Sequence, residues 1–264
     1  MNPFAHLVRI AALALFALPS LAVAQQKDPC PPLLSATESR IIPAALGPKE
    51  VGLTYIGHAT FLIETPGGVK IATDYNDYVR PDVVPDIATM NKAHDTHYSN
   101  PPDPGIKLIL RGWNPQGGPI HYDERFGDVR IRNVQTNIRT WSGGTDYDGN
   151  SIFVFESAGL CIAHLGHLHH ELTPEHLTQL GRIDVLLVPV DGNYTLNQEG
   201  MLKVVKSIGA PLNIPMHIFS DYTLERFLGL ARETYPVEFS SSKHIVLSRE
   251  TLPSSPKILV LPGH

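Results

Sequence analysis

The sequence predicts an α/β domain built largely of sheet. Its first half holds short alternating apolar runs separated by Gly and Pro turns. Its second half alternates continuous apolar runs with amphipathic ones, the pattern of strand–helix–strand units. Length agrees: of 264 residues, about 240 remain once an N-terminal targeting segment is set aside, the size of one large α/β unit.

That segment is "MNPFAHLVRIAALALFALPSLAVAQQ". Arg9 precedes an apolar run from Ile10 to Leu18, and Ala22-Val23-Ala24 supplies an A-x-A cleavage pattern. Residues 1–24 therefore read as a signal peptide cut before Gln25, which puts the mature protein in a periplasm or outside the cell. The alternative is a membrane anchor; the short run and Pro19 argue against it, and no other stretch is long enough to span a bilayer. Residues 25–50 form a proline-rich leader, and residues 51–264 the folded domain. With Arg9 removed, 20 basic residues face 26 acidic ones and no basic cluster stands out, which argues against nucleic acid as a partner; the partner expected is a small-molecule substrate. Two cysteines remain. In an oxidising compartment Cys30 and Cys161 could pair; otherwise Cys161 is a buried thiol and Cys30 a free one.

The domain opens with three strand-like runs, "VGLTYIG", "TFLIET" and "VKIATD", the last two joined by the Pro66–Gly68 turn. "PDVVPDIATMNKAH" reads as a strand reaching a loop at His94. The Pro- and Gly-rich stretch from Tyr98 to Gly127 reads as loop. "DVRIRNVQT" alternates as a strand does, "SGGTDYDGN" reads as a turn, and "SIFVFES" and "LCIAHL" flank the tight Ala158-Gly159 turn of a second hairpin. "TPEHLTQL" has a cap at Thr173 and Pro174 at its first helical position. "IDVLLVPV" is apolar throughout, as in a strand buried on both faces. "NQEGMLKVVKSIG" runs as a helix from a cap at Asn197 to Gly209. "PLNIPMH" is a further strand, "DYTLERFLGLARETY" an amphipathic helix, and "HIVLS" and "KILVL" are closing strands.

Polar residues fall where the apolar strands end: Asp74, His164, His167, Asp191 and His217. Strand ends and the loops after them are where α/β proteins build sites, and imidazole is the commonest metal ligand near neutral pH. "LCIAHLGHLHHELT" alone carries His164, His167, His169 and His170. A single histidine is more often a hydrogen-bonded or surface residue than a ligand; the set as a whole points to a divalent metal.

"LTYIGHATFLIETPGGVKIATD" resembles the opening of the metallo-β-lactamase fold superfamily. It is most similar to the branch holding ascorbate-phosphate lactonases and the N-acylethanolamine-releasing phospholipase D. Gly57, His58, Ala59, Thr60 and Asp74 match that branch's pattern. "HLGHLHHELTPEHLTQLGRIDVLLVPVDGNYT" resembles its middle motifs, and "IPMH", ending at His217, its last metal-binding motif. The resemblance runs from about Val51 to about Ser220. It implies an αββα sandwich with a metal site along one edge, and a hydrolase acting through metal-activated water on an ester, lactone or phosphodiester.

The metal motifs depart from the pattern. Where the family carries H-x-H-x-D-H, this chain has "NKAHDTHYSN". Ungapped, His94 takes the first histidine and Thr96, Tyr98 and Ser99 replace the rest; with one insertion, His97 takes the second. No histidine falls in "NVQTNIRTW", and His167 stands where the family has the aspartate of its "HLGD" motif. The expectation is a site rebuilt on imidazole, with His94, His97, His167 and His217 as ligands and His169 or its neighbours in reserve. Losing carboxylates lowers the charge of the site and favours one zinc, or another borderline metal, over two close cations. Asp74 is the surviving carboxylate expected to act on water, and His58 is expected to assist proton transfer or support the ligands. Trp113, Trp141, Arg111, Arg139 and Tyr194 are pocket-wall candidates that loop packing would equally explain. A non-catalytic periplasmic binding or metal-handling protein would need the same histidines.

Overall fold

The computed structural model describes residues 46–263. The signal peptide, most of the leader and Cys30 lie outside the described residues. Cys161 is fully buried and is not a free thiol.

Two sheets face one another. The first has the order β13-β1-β2-β3-β4-β5, with β1 (Val51–Gly57), β2 (Thr60–Glu64), β3 (Lys70–Ala72), β4 (Ile87–Met90), β5 (Leu108–Arg111) and β13 (His244–Leu247). The second has the order β12-β14-β11-β10-β9-β8-β7-β6, with β6 (Asp123–Phe126), β7 (Val129–Arg139), β8 (Thr145–Ser157), β9 (Leu160–His164), β10 (Val185–Pro189), β11 (Leu212–Met216), β12 (Val237–Phe239) and β14 (Lys257–Val260). Three helices are described: α1 (Pro174–Leu180), α2 (Gln198–Ile208) and α3 (Asp221–Ala231).

The core follows from strand alternation. Val51, Leu53 and Tyr55 of β1 meet Ile131, Phe153, Phe155, Val185 and Leu187 of the second sheet in one interlayer cluster. The continuous run of β10 is explained by its other face: Leu186 and Val188 pack with Met201 and Val205 of α2 and Phe227 and Leu228 of α3. All three described helices lie on that side. The outer face of the first sheet is covered instead by side chains from loops, where Tyr75 and Ile106 pack on Ala88 and Met90 with Tyr98 and Trp113. The αββα sandwich thus has one of its outer layers reduced to loop segments among the described residues.

The expected caps form. Thr173 accepts from the His176 amide, Asn197 accepts from Gly200, and Gly209 closes α2 at φ 69°. The Ala158-Gly159 hairpin turn has φ 51° and 77°, the left-handed pair that a two-residue turn requires. Three short strands were not expected. β5 and β6 fall in the stretch read as loop, and β12 precedes the closing strands. β6 and β12 terminate the second sheet, and β6 is mostly exposed, so it carries no buried alternation to read. β8 also begins earlier than "SIFVFES", inside the stretch read as a turn, because Thr145–Gly149 extends the hairpin beyond the core.

Parallel strands set up the site. β9, β10 and β11 run parallel, as do β3 and β4, so their C-terminal ends gather at one edge. The loops that follow carry His167, Asp191, His217, Asp74 and His94. The backbone N–H of His217 donates to the His58 carbonyl at 2.7 Å, stitching the two sheets together at that edge.

Candidate metal centre

Three of these side chains converge. One ring nitrogen from each of His58, His97 and His217 lies within 4.8 Å of the others. His97 comes from a 3-10 turn (Asp95–His97) that follows β4, and His97 and His217 are fully buried. Their Nε2 atoms are 3.1 Å apart. Behind His97, Asp74 Oδ2 lies 2.6 Å from its Nδ1. Behind His217, Asp191 Oδ1 lies 3.0 Å from its Nδ1, in ion-pair contact though off the hydrogen-bond axis.

These carboxylates decide the chemistry of the pair. Asp74 accepts from His97 Nδ1, which leaves His97 Nε2 with a lone pair, and the charge of Asp191 beside His217 Nδ1 favours the same tautomer there. In those tautomers the two Nε2 lone pairs face one another across 3.1 Å, an arrangement that a shared cation stabilises. A proton on His97 is disfavoured, because burial and the neighbouring imidazole of His217 hold it well below the ordinary histidine pKa. A metal ion with nitrogen ligands about 2.0–2.1 Å away is the better cation. His58 supplies a third imidazole. Burial, then the charges His217 and His97 would carry, push its pKa down to about 2, so it too stays neutral. Its Nε2 lies 3.1 Å from the Thr96 hydroxyl.

The backbone is bent to make this arrangement. His58, Asp74 and His217 have φ of 52°, 41° and 57°, left-handed values that are costly for residues with a Cβ. Asp74 is itself held. Its Oδ1 accepts from Asn91 Nδ2 at 2.9 Å, and Asn91 Oδ1 accepts from the Ser151 amide at 2.8 Å in the opposite sheet. No larger neighbour fits around that amide: a Cβ on Gly112 would lie 2.4 Å from Asn91 Oδ1, and one on Gly166 2.5 Å from its Nδ2. Burial raises the Asp74 pKa to about 6. Asp191 is held well below the usual carboxylate range despite burial, by His217, by the Thr195 hydroxyl and by backbone amides including that of Asn193.

The other expected ligands stand outside the set of three whose ring nitrogens converge. His167 packs edge-on against His97, His94 and His217, with centroids 4.8, 4.7 and 5.0 Å away. Its Nδ1 is 2.8 Å from His169 Nε2, which leaves His167 Nε2 and His169 Nδ1 buried and without a partner. His94 is half-buried, 6.1 Å from His97 between centroids. Asp74, expected to act on water, is fully buried behind His97, with both oxygens engaged; it orients the imidazole rather than reaching substrate. His58, expected as a helper, stands among the three convergent imidazoles.

The remaining histidines of "LCIAHLGHLHHELT" serve the fold. His164 lies in the core with Nε2 2.8 Å from the Ala59 carbonyl. His170 Nε2 accepts from the Asn137 amide, which a bulge between Thr136 and Ile138 takes out of the β7–β8 ladder.

Geometry also corrects the motif register. The spacing His94-x-Thr96-His97 fills the last four positions of H-x-H-x-D-H, with Thr96 at the aspartate and Lys92 at the first histidine. Lys92 faces away, paired with Asp146 at 2.7 Å. Asn91, Thr96 as a partner of His58, and Phe219, whose ring lies 5.0 Å from that of His217, were not expected. Nothing in their local sequence marks them.

Beside the histidines a cavity of about 260 Å³ opens to solvent, lined by His94, His167, His169, Arg139, Trp141 and Tyr194 among others. Trp113 is not part of it; it packs on Tyr98.

A two-sheet sandwich carrying buried, carboxylate-backed histidines at the ends of its strands defines a metal-site protein of the β-lactamase type. The beta-lactamase superfamily domain matches residues 52–217, from β1 to the last histidine of the trio, and the chain belongs to that superfamily. It is 25% identical to the UPF0173 metal-dependent hydrolase of Carboxydothermus hydrogenoformans over 62% of this chain and 83% of that one. With the namesake from Pelotomaculum thermopropionicum it shares 26% over 77% and 96%. Among solved structures, a candidate zinc-dependent hydrolase of the metallo-β-lactamase superfamily from Thermotoga maritima is 30% identical, with a TM-score of 0.59 over 80% of this chain and 98% of that one.

Proposed function

We propose that the protein is a secreted metal-dependent hydrolase of an ester, lactone or phosphodiester, working with one zinc ion. The observation that carries this reading is the His97–His217 pair, each ring with a buried carboxylate beside its Nδ1 and the two Nε2 atoms 3.1 Å apart. The names of the similar proteins support it. All-nitrogen, uncharged donors suit a single zinc.

A zinc ion held by His58, His97 and His217 would supply Lewis acidity, polarising a carbonyl or phosphoryl oxygen and making water more acidic. The protein does the rest. Asp74 and Asp191 fix which nitrogen of His97 and His217 faces inward. His94 and His167 present ring edges toward the cavity and orient what enters it. Trp141 and Tyr194 supply aromatic surface at the mouth.

The test is hydrolysis of lactone, aryl ester, phosphodiester and amide substrates by the mature protein before and after chelation. Turnover of an ester, lactone or phosphodiester, lost on chelation and restored by zinc, is expected. Zinc bound without turnover of any of them would favour the metal-handling alternative. Export is part of the proposal, on the Ile10–Leu18 run and the Ala22–Ala24 pattern. Mass spectrometry of protein from the periplasm should start at Gln25; exported protein retaining residues 1–24 would contradict it.

A further inference from the structure

The cavity beside the histidines has a chemistry of its own. Its outer wall is the tip of the β7–β8 hairpin, closed by bonds from Thr140 N to the Gly144 carbonyl at 2.8 Å and from Gly143 N to the Thr140 carbonyl at 3.0 Å. This turn holds Trp141 in water, 90% exposed. The indole is not aimless, for its ring stands 5.8 Å from that of His94. Across the opening, Tyr194 meets the same imidazole edge-on at 5.9 Å, and Phe219 continues the aromatic rim 5.3 Å from Tyr194.

Charge in this cavity is one-sided. Arg139, at the foot of the hairpin, is the ionised side chain among the described lining residues, and none of those residues is acidic. It is braced by a bond from its guanidinium to the Asn193 carbonyl at 2.5 Å. The nearby carboxylates, Asp74 and Asp191, are spent behind His97 and His217 and carry their charge away from the opening. A divalent ion and Arg139 together outweigh those two carboxylates by one positive charge, with the positive end facing the cavity. His167 and His169 line the same space, and each keeps a buried ring nitrogen without a partner, Nε2 and Nδ1 respectively.

Resting on the hydrolase reading above, we propose that this cavity is the subsite for a small carboxylate-bearing ester or lactone. The carboxylate pairs with Arg139, the flat or apolar body lies between Trp141 and Tyr194, and the scissile carbonyl points toward His94 and His167, which line the cavity. Hydrolysis consumes one water, whose oxygen bonds the acyl carbon as the ester C–O bond breaks, and leaves a second carboxylate, an alcohol and one proton released to solvent.

Matched substrates test this on the zinc-loaded mature protein. An aryl ester bearing a free carboxylate is compared with its twin in which that carboxylate is capped as an amide. The wild-type protein should prefer the anion about tenfold or more in kcat/KM, as expected for a charged hydrogen bond. Arg139→Ala should collapse the ratio toward one, and Arg139→Lys should keep part of it. Equal turnover of the twins by the wild type, or a preference that survives Arg139→Ala, overturns the proposal. Binding is read separately from Trp141 fluorescence in a Trp113→Phe background, with benzoate and benzamide as probes. Saturable quenching by benzoate alone, abolished in Arg139→Ala, supports the subsite even if no ester is turned over, in which case only the hydrolase reading fails. Absence of quenching by benzoate, or equal quenching by benzamide, overturns the subsite.

Discussion

His217→Ala is expected to strip the protein of tightly held metal and of hydrolysis while leaving it folded. The ring supplies one of the two facing Nε2 atoms, 3.1 Å from that of His97. Losing an orienting partner of a ligand costs about 10–100-fold in affinity, so losing the ligand itself should cost more. Folding should survive because Asp191 keeps the Thr195 hydroxyl and the amides of Asn193 and Thr195. The backbone bond from residue 217 to the His58 carbonyl also needs no side chain. Isothermal titration with zinc, with thermal unfolding of the metal-free protein alongside, checks both halves. Unchanged zinc affinity would remove His217 from the centre.

Asp74 and Asn91 should separate orientation from stability. Asp74→Asn keeps the shape but removes the charge behind His97, and zinc affinity should fall about 10–100-fold. Asn91→Ala leaves Asp74 Oδ1 and the Ser151 amide without their partner in a fully buried place. Its cost to folding should be about 1–3 kcal/mol, a fall in Tm of several degrees. Asn133→Ala makes the control: Asn133 bonds Ser151 Oγ and the Ile120 carbonyl but does not touch Asp74. It should lower Tm and spare zinc affinity. Equal loss of affinity in Asn133→Ala and Asn91→Ala would mean that Asn91 acts through general packing alone.

Much of this architecture was legible in the residues, and the reason is burial. β1, β2, β10 and β11 pack against buried partners and so carry apolar patterns. The helices announce themselves by caps at Thr173 and Asn197. β5, β6 and β12 do not, being four or three residues long and partly or mostly exposed. The polar start of β8 misleads for the same reason: Thr145–Asp148 alternates between exposed and half-buried positions in a hairpin arm that few neighbours cover.

The site was legible as a set of histidines and not as an arrangement. The set His58, His94, His97, His167, His169 and His217 does gather at one edge. Which imidazoles face one another depends on the 3-10 turn that swings His97 inward and on left-handed φ at His58 and His217, and no local pattern encodes either. His164 and His170 are as prominent in the sequence as His167, yet backbone groups occupy them. Asn91 shows the limit most clearly. An asparagine after an apolar strand looks like the start of a loop, and its role appears only when the opposite sheet delivers the Ser151 amide to it.

The central claim is a single metal held by His58, His97 and His217. Anomalous scattering at the zinc edge, from crystals of the mature protein grown with zinc, tests it most directly. The account predicts one peak per chain, within bonding distance of His97 Nε2 and His217 Nε2 and a ring nitrogen of His58. A peak held instead by His94, His167 and His169, two peaks sharing the site, or no peak beside His97 and His217 would contradict it.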